Sequence, residues 1–188
     1  MATPFLISGC IPVILAGAGT AGTVAVQERS TGNVVDDAGI KLAIDNQFIQ
    51  KDSGDILKNV ETHVKEGRVL LTGDVDKPES KVEAVKLAWK IKGVKEVMDE
   101  IQVNDQTGVW DYAQDGWIAS QIRTRLLLEK DLRSVNYNVE AVNGIVYLMG
   151  IAQDQTELDK ATYIASTTAH VKQVISHVVL KDDQRRTK

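Results

Sequence analysis

Apolar residues recur along the chain at helical spacing, and the same pattern occurs twice. Two triplets follow one another at four-residue intervals: Ile40, Ile44, Phe48 and Ile118, Ile122, Leu126. A four-residue interval places the side chains on one stripe of a helix. We therefore predict an amphipathic helix at the beginning of each half of the chain.

Each predicted helix is followed by a pattern typical of a β-hairpin. The predicted strands run over residues 56–64 and 69–75 in the first half, and over 135–142 and 146–152 in the second. The intervening pairs, Glu66-Gly67 and Asn143-Gly144, predict tight turns, and Asn-Gly in particular tolerates the positive φ angles that two-residue hairpins require.

A second helix and a last strand complete each half. Pro78 suits the first turn of a helix, for which we predict an apolar stripe of Val82, Val85 and Ile91. Residues 154–169 repeat this helix, with Leu158, Ala161 and Ala165 as the stripe. The last strands are predicted at 94–103 and 171–180. The order is α-β-β-α-β, twice, which predicts an α+β fold with helices packed on a small mixed sheet.

The two halves also match directly in sequence. Residues 67–73 (GRVLLTG) and 144–150 (GIVYLMG) correspond at an offset of 77 residues. This period exceeds the ~20–50 residues of solenoid repeats, so the copies are domains. The predicted boundaries are listed in order: 1–9 signal remnant, 10–34 flexible tether, 35–104 first domain, 105–114 linker, 115–181 second domain and 182–188 tail.

Composition and charge exclude several classes of function. The net charge of −4 argues against a general nucleic-acid binder. No apolar run approaches the ~18 residues of a membrane span. His63, His170 and His177 lack the spacing of metal ligands. No acid, base or nucleophile motif converges on a site, so we predict neither an enzyme nor a bound cofactor.

Gly17, Gly19 and Gly22 form a G-x-G-x-x-G pattern, but its context does not match a dinucleotide site. Such a site needs a buried strand before the glycines and a helix after them. The residues that follow, TVAVQERSTG, have little helical periodicity and another glycine. We therefore interpret the glycines as part of a flexible tether.

Cys10 is the only cysteine of the chain, so it cannot form an internal disulfide. The segment FLISGC resembles the end of a bacterial lipoprotein signal peptide, which predicts that Cys10 is lipidated. None of the nine residues before Cys10 is Lys or Arg, whereas such signal peptides begin with a basic segment. The alternative interpretation is a buried free thiol.

The element order, the G-x-V-x-L-x-G hairpin and the later G/H-V-K-x-V strand resemble BON domains. Two of them behind a lipidated cysteine are similar to tandem-BON outer-membrane lipoproteins, from Cys10 through the last strand. The resemblance implies a non-enzymatic protein, lipid-anchored in the outer membrane and facing the periplasm. It also implies binding to anionic phospholipid (phosphatidylglycerol, cardiolipin) through the first helix of the second domain, with roles in envelope integrity and at division sites.

The first domain serves as an internal control for this site. Trp117 lies roughly 140° from the centre of its helix's apolar stripe, which predicts an exposed indole, and Gly39 holds the corresponding position. Residues 117–130 carry a net charge of +2, whereas residues 39–52 carry none. Exposed Trp near cations is typical of membrane-interface anchors. The candidate phospholipid-binding residues are Trp117, Ile118, Gln121, Ile122, Arg123, Thr124, Arg125 and Leu128.

Two alternatives stay open. In the first, Trp117 packs against the other domain or the preceding linker, and the arginines form a solvated helix face. In the other, the chain is a protein-binding module that recruits envelope proteins, for example by strand addition at an exposed sheet edge. Trp89 and Trp110 are interpreted as covering domain edges or the linker.

Overall fold

Each half of the chain forms one three-stranded sheet with its helices packed on one face. The computed structural model describes residues 31–51, 54–104 and 109–187. Its elements are α1 Thr31–Lys51, α2 Asp55–Asn59, β1 Val60–Lys65, β2 Arg68–Val75, α3 Pro78–Trp89, β3 Glu96–Val103, α4 Val109–Leu128, β4 Tyr137–Val142, β5 Ile145–Ala152, α5 Gln155–Ser166 and β6 Gln173–Leu180, with short 3-10 helices at Ser134–Asn136 and Gln184–Thr187.

The two sheets have the same topology, with the second strand of each hairpin in the centre. β1 pairs antiparallel with β2, and β3 pairs parallel with β2 on its other side. β4, β5 and β6 repeat this arrangement. The parallel pairing requires a crossover, which α3 and α5 provide. The predicted α+β fold with two small mixed sheets is confirmed.

The hairpin turns are both fastened by a buried aspartate at the start of the domain. Glu66, Gly67, Asn143 and Gly144 all have positive φ, as the turn prediction requires. The carboxylate of Asp37 accepts hydrogen bonds from the backbone N–H groups of Glu66 and Gly67, both at 2.9 Å. Asp115 accepts from the corresponding N–H groups of the second turn, at 2.6 and 2.8 Å. An aspartate at the corresponding position therefore connects the first long helix to the hairpin turn in each domain.

The predicted apolar stripes of α1 and α4 are buried, but the stripe of α3 differs from the prediction. Val85 and Ile91 pack against the core as predicted, but Val82 is exposed, and the fully buried face of α3 consists of Ala84, Leu87 and Ala88. Val82 precedes Ala84 by two residues, which is a rotation of about 200° on a helix. The small alanines allow α3 to approach the sheet closely, and this face was missed because alanine gives a weak hydrophobic signal. In α5, Ala161 and Ala165 are buried as predicted.

The first strand of each hairpin begins later than predicted. Residues Asp55–Asn59 form α2, and β1 begins at Val60. In the second domain a 3-10 turn precedes β4, which begins at Tyr137. Ile56 is buried, and the Asn59 side chain donates to the Asp55 carboxylate at 3.0 Å, one helical turn away. The four-residue interval from Ile56 to Val60 is thus one turn of a helix, and not part of a β-strand as predicted.

Three predicted connecting segments contain regular structure. Helix α1 begins at Thr31, inside the predicted tether, and α4 begins at Val109, inside the predicted linker. The predicted tail contains a 3-10 helix, and Arg186 forms two hydrogen bonds of 2.8 Å with the carboxylate of Glu66 in the first domain. Cys10 and residues 10–30 of the tether lie outside the described residues.

The sheet faces that do not carry helices pack against each other. Leu70 and Met98 of the first domain form a buried apolar cluster with Tyr147 and Met149 of the second. Leu70 lies between Val69 and Leu71, which face the helices, so β2 is buried on both sides. Helices cover only one face of a three-stranded sheet, and the second domain supplies the missing cover. Each domain nevertheless has its own core beneath its helices.

Candidate functional site

Helix α4 presents a line of exposed side chains on the side away from its core stripe. Trp117, Gln121, Thr124 and Leu128 are all exposed and follow one another at intervals of four, three and four residues. They therefore lie on one face, which we call the α4 strip, about 16 Å long at 1.5 Å per residue. These four predicted site residues are brought together on one surface.

Ile118 and Ile122 do not belong to this surface. Both side chains are fully buried in the core of the second domain. They form, with Leu126, the stripe that faces the sheet, so they cannot contact a ligand or a membrane while the domain is folded. Their place in the predicted site is corrected: they hold α4 in position.

Trp117 contacts a residue of its own domain. Its indole meets the imidazole of His170 edge to face, with ring centroids 5.7 Å apart and an interplanar angle of 74°. The side chain is still 45% exposed. His170 has a φ of 68°, an uncommon backbone conformation for a residue other than glycine. The predicted exposure of Trp117 is confirmed, and its ring contact supports one side of the indole.

Arg123 lies on the other side of α4 and is bound to strand β4. Its guanidinium donates to the backbone carbonyl of Val139 and to the carboxylate of Glu140, the latter at 2.8 Å. About half of the side chain stays exposed. The charge counted from the sequence is therefore partly neutralised by Glu140, which periodicity within α4 does not reveal.

Arg125 joins α4 to the end of α5. Its guanidinium donates to the carbonyl of Ile164 at 2.6 Å and to the hydroxyls of Thr168 and Thr167 at 2.7 and 2.9 Å. A cation at this position satisfies the last carbonyls of a helix and opposes its dipole. Arg125 therefore orients the two helices, and its charge is directed at the protein.

Lys130 is the cation near the strip that is not engaged. It is exposed, and it forms no ion pair with the part of the chain that the structure describes. Glu129, its neighbour, lies 3.8 Å from the ammonium of Lys160. The contacts with Asp131 and Glu129 raise the pKa of Lys160, and the main cause is the hydrogen bond that its ammonium donates to the carboxylate of Asp131. The acidic groups at this end of α4 are thus neutralised locally, and Lys130 adds positive charge.

Two further exposed residues border the strip and were missed by sequence reasoning. Leu127 follows Thr124 on the outer side of α4, and Tyr163 projects from α5. Leu128 and Tyr163 line a shallow depression of about 350 Å³ between the two helices. Tyr163 corresponds to Lys86 in the first domain. The comparison of repeats that singled out Trp117 would have found Tyr163 if applied to α5.

Two further observations apply to the part of the chain that the structure describes. Among residues 31–51, 54–104 and 109–187, no group of three or more His, Cys, Asp or Glu residues could hold a metal ion. Nor does any helix in those ranges combine the length and apolarity needed to cross a bilayer.

Comparison with known proteins agrees with this architecture. The BON domain family model matches residues 36–105 and 114–182. The chain is 42% identical over 153 residues to an Anaplasma centrale protein described as an uncharacterized protein in the gshII 5′ region, covering 81% of this chain and 99% of that one. It is 31% identical to outer membrane lipoprotein DolP of Haemophilus influenzae, covering 93% and 89%. With osmotically-inducible protein Y of Escherichia coli it shares 32% identity, covering 78% and 73%. The chain thus belongs to the BON domain family and carries two BON domains in tandem, as does a protein of the DolP type.

Proposed function

We propose that this chain is a non-enzymatic protein of the bacterial cell envelope that docks on anionic phospholipid bilayers through the α4 strip. In this proposal Cys10 carries a lipid anchor in the outer membrane, and the two domains face the periplasm. Maintenance of envelope integrity, in part at division sites, is the role that the resemblance to tandem-BON lipoproteins implies.

The α4 strip carries this proposal. Its ends are large apolar side chains, Trp117 and Leu128, and Leu128 is 74% exposed. Between them, the Thr124 hydroxyl donates to the carbonyl of Ser120 at 2.9 Å. That hydroxyl needs no water as a partner, which lowers the free-energy cost of removing it from solvent. An exposed row with an indole at one end suits the interface of a bilayer, where amphipathic rings are enriched.

Electrostatic attraction adds to this contact but is modest. Lys130 is unpaired among the described residues, and Arg123 shares its charge with Glu140. Each cation near an anionic surface contributes about 1 kcal/mol. A helix of this kind binds a bilayer weakly and reversibly by itself. A lipid on Cys10 would hold the domain near the membrane and raise its effective concentration there.

Vesicle sedimentation tests the proposal directly. The purified chain should sediment with phosphatidylglycerol or cardiolipin vesicles and remain in solution with phosphatidylcholine vesicles. Trp117→Glu should weaken binding tenfold or more. The variant loses an indole inserted into the bilayer and gains an acid, and the binding free energy lost exceeds about 1.4 kcal/mol. Trp89→Glu is the matched control. Trp89 is 52% exposed on α3 of the first domain, and its replacement should leave binding unchanged.

A second pair of variants tests whether binding requires the apolar side chains of the α4 strip or any exposed apolar side chain. Leu128→Glu should reduce binding, whereas Leu42→Glu, at an exposed position of α1, should not. In a variant with phenylalanine at positions 89 and 110, Trp117 emission should shift to the blue on adding phosphatidylglycerol vesicles. Binding that survives Trp117→Glu, with unchanged emission, would contradict the proposal. Recruitment to envelope fractions without dependence on lipid would instead favour the alternative function, a protein-binding module.

The anchor is tested separately. The native protein should begin at Cys10 and carry the mass of a lipid modification. Ile11 follows the cysteine where an aspartate typically signals retention in the inner membrane, so the outer membrane is the expected location. Mass spectrometry of the native N-terminus decides this, and an unmodified Cys10 preceded by residues 1–9 would refute it.

A further inference from the structure

The first domain has an open groove at the place where the second domain holds Trp117 and His170. Gly39 and Gly93 occupy the two corresponding positions, at offsets of 78 and 77 residues. Both glycines line a groove of about 820 Å³ between α1 and the segment that follows α3. Ile40, Ala43 and Ile91 form its apolar floor. In the second domain the rings of Trp117 and His170 stand at these two positions and contact each other.

The floor depends on glycine at position 93. Gly93 has a φ of 98°, and a Cβ built there would lie 3.0 Å from the side chain of Ile40. At Gly39, by contrast, a Cβ meets nothing within 4 Å. A Cβ at position 39 is therefore accommodated without displacing any neighbouring atom.

The rim of the groove is positively charged. Lys90, Lys92 and Lys95 line it and are all exposed. Their counterparts in the second domain are Thr167, Ala169 and Lys172, so two of the three lysines are particular to the first domain.

The acidic groups at the groove are mostly engaged elsewhere. Asp37 accepts two hydrogen bonds from the hairpin turn, and Glu66 is paired with Arg186. Asp36 is the remaining carboxylate that lines the groove. Lysines therefore outnumber the available acids around an apolar floor.

We infer that this groove binds an acidic peptide segment of a protein partner, with an aromatic side chain of that segment inserted between Gly39 and Gly93. In the second domain an indole stands at the position of Gly39 and contacts the ring at the position of Gly93, so an aromatic ring is compatible with this place on the fold. The lysine rim attracts acidic residues on either side of the ring. The apolar floor lies below the rim, so a concave site of this kind suits an inserted side chain better than a flat membrane. The inference does not depend on bilayer docking by α4.

Selection from a random peptide display library on the immobilised chain tests the inference. Enriched peptides should contain Trp, Tyr or Phe flanked by Asp or Glu. For a synthetic copy of the strongest peptide, Gly39→Trp should weaken binding tenfold or more by filling the groove. Gly39→Ala is the matched control: it leaves the groove open and should retain binding. Lys92→Glu should weaken binding by reversing a charge at the rim, without touching the floor.

Amide spectra locate the peptide. The backbone resonances of Gly39, Gly67 and Gly93 should move on titration, whereas those of Gly116 and Gly144 should not. Failure to enrich aromatic-acidic peptides, or equal binding by the Gly39→Trp variant, would overturn the inference. So would a loss of phosphatidylglycerol vesicle binding in the Lys92→Glu variant with no effect on the peptide, because the groove would then be a lipid site.

Discussion

His63 Nε2 lies 3.1 Å from Glu140 Oε1, and the two residues occupy the same position in the two repeats. In a second pair, again at corresponding positions, the histidine belongs to the second domain and the glutamate to the first. His177 Nε2 lies 2.8 Å from Glu100 Oε1. Corresponding residues meet only near a two-fold axis. The domains are therefore related by an approximate two-fold axis that passes between their sheets.

The first of these pairs also reaches the candidate membrane helix. Glu140 accepts a hydrogen bond from Arg123 of α4 and contacts His63 of the first domain through the same oxygen, Oε1. Arg123 is thus a link between α4 and the domain interface. This contact explains why a cation predicted to face the membrane is held against β4.

We predict measurable coupling across the interface. In double-mutant cycles, His63→Ala with Glu140→Ala should show a coupling energy of about 0.5–1 kcal/mol, as should Glu100→Ala with His177→Ala. The size is limited because both pairs are partly exposed. Urea unfolding of the full chain measures it. Additive effects in both cycles would mean that the pairs do not hold the domains together.

Asp37 and Asp115 should be among the most sensitive positions of the fold. Replacement of either by alanine leaves two backbone N–H groups of a hairpin turn without their acceptor. We expect a loss of about 3 kcal/mol, because each buried unsatisfied donor costs about 1–3 kcal/mol. Asp36→Ala, at an exposed neighbouring position, is the control. Equal urea midpoints for Asp36→Ala and Asp37→Ala would contradict this role.

The last glycine of the G-x-V-x-L-x-G hairpin is required by close packing. A Cβ at Gly150 would overlap the backbone carbonyl of Asn136, and one at Gly73 that of Asn59. Gly150→Ala should destabilise the chain by about 2–3 kcal/mol, since overpacking forces backbone shifts. Gly116→Ala, which meets nothing within 4 Å on α4, should stabilise it by about 0.5–1 kcal/mol. Thermal unfolding distinguishes the two, and similar effects would refute the steric explanation.

Asp74 should make stability depend on pH. It lies at the domain interface, where the Asn143 amide donates to its carboxylate at 3.0 Å. Burial raises the pKa of Asp74, outweighing the hydrogen bonds from Asn143 and Asn104 that lower it. A raised pKa means that the folded state favours the protonated carboxyl group of Asp74. The stability contributed by this protonated group is fully present below the pKa of the unfolded state and is lost as the pH rises through the pKa of the folded state.

Asp74→Asn tests that dependence because it keeps an acceptor for Asn143 without the charge. The variant should be more stable than the original chain at pH 7, and the difference should vanish below about pH 4, near the ordinary pKa of Asp. Urea midpoints across this range measure it. A difference that is constant with pH would show that the charge of Asp74 is not the cause.

Sequence alone determined the parts of this protein that depend on local periodicity and on the repeat. The four-residue stripes of α1 and α4 and the two turns with positive φ follow from residues close together in the chain. Comparison of the repeats also shows how the two domains differ. Trp117 has Gly39 as its counterpart, and this difference identified an exposed indole.

Tertiary structure decided which of those side chains are available. Arg125 binds the end of α5 and Arg123 binds β4, through partners 16 to 43 residues away. His170 reaches Trp117 from 53 positions further along the chain, and the sheets meet through Leu70 and Tyr147. Hydrophobic periodicity reports only which face of an element is apolar. The partner that covers that face, and the carbonyls that a cation satisfies, are set by how distant elements pack.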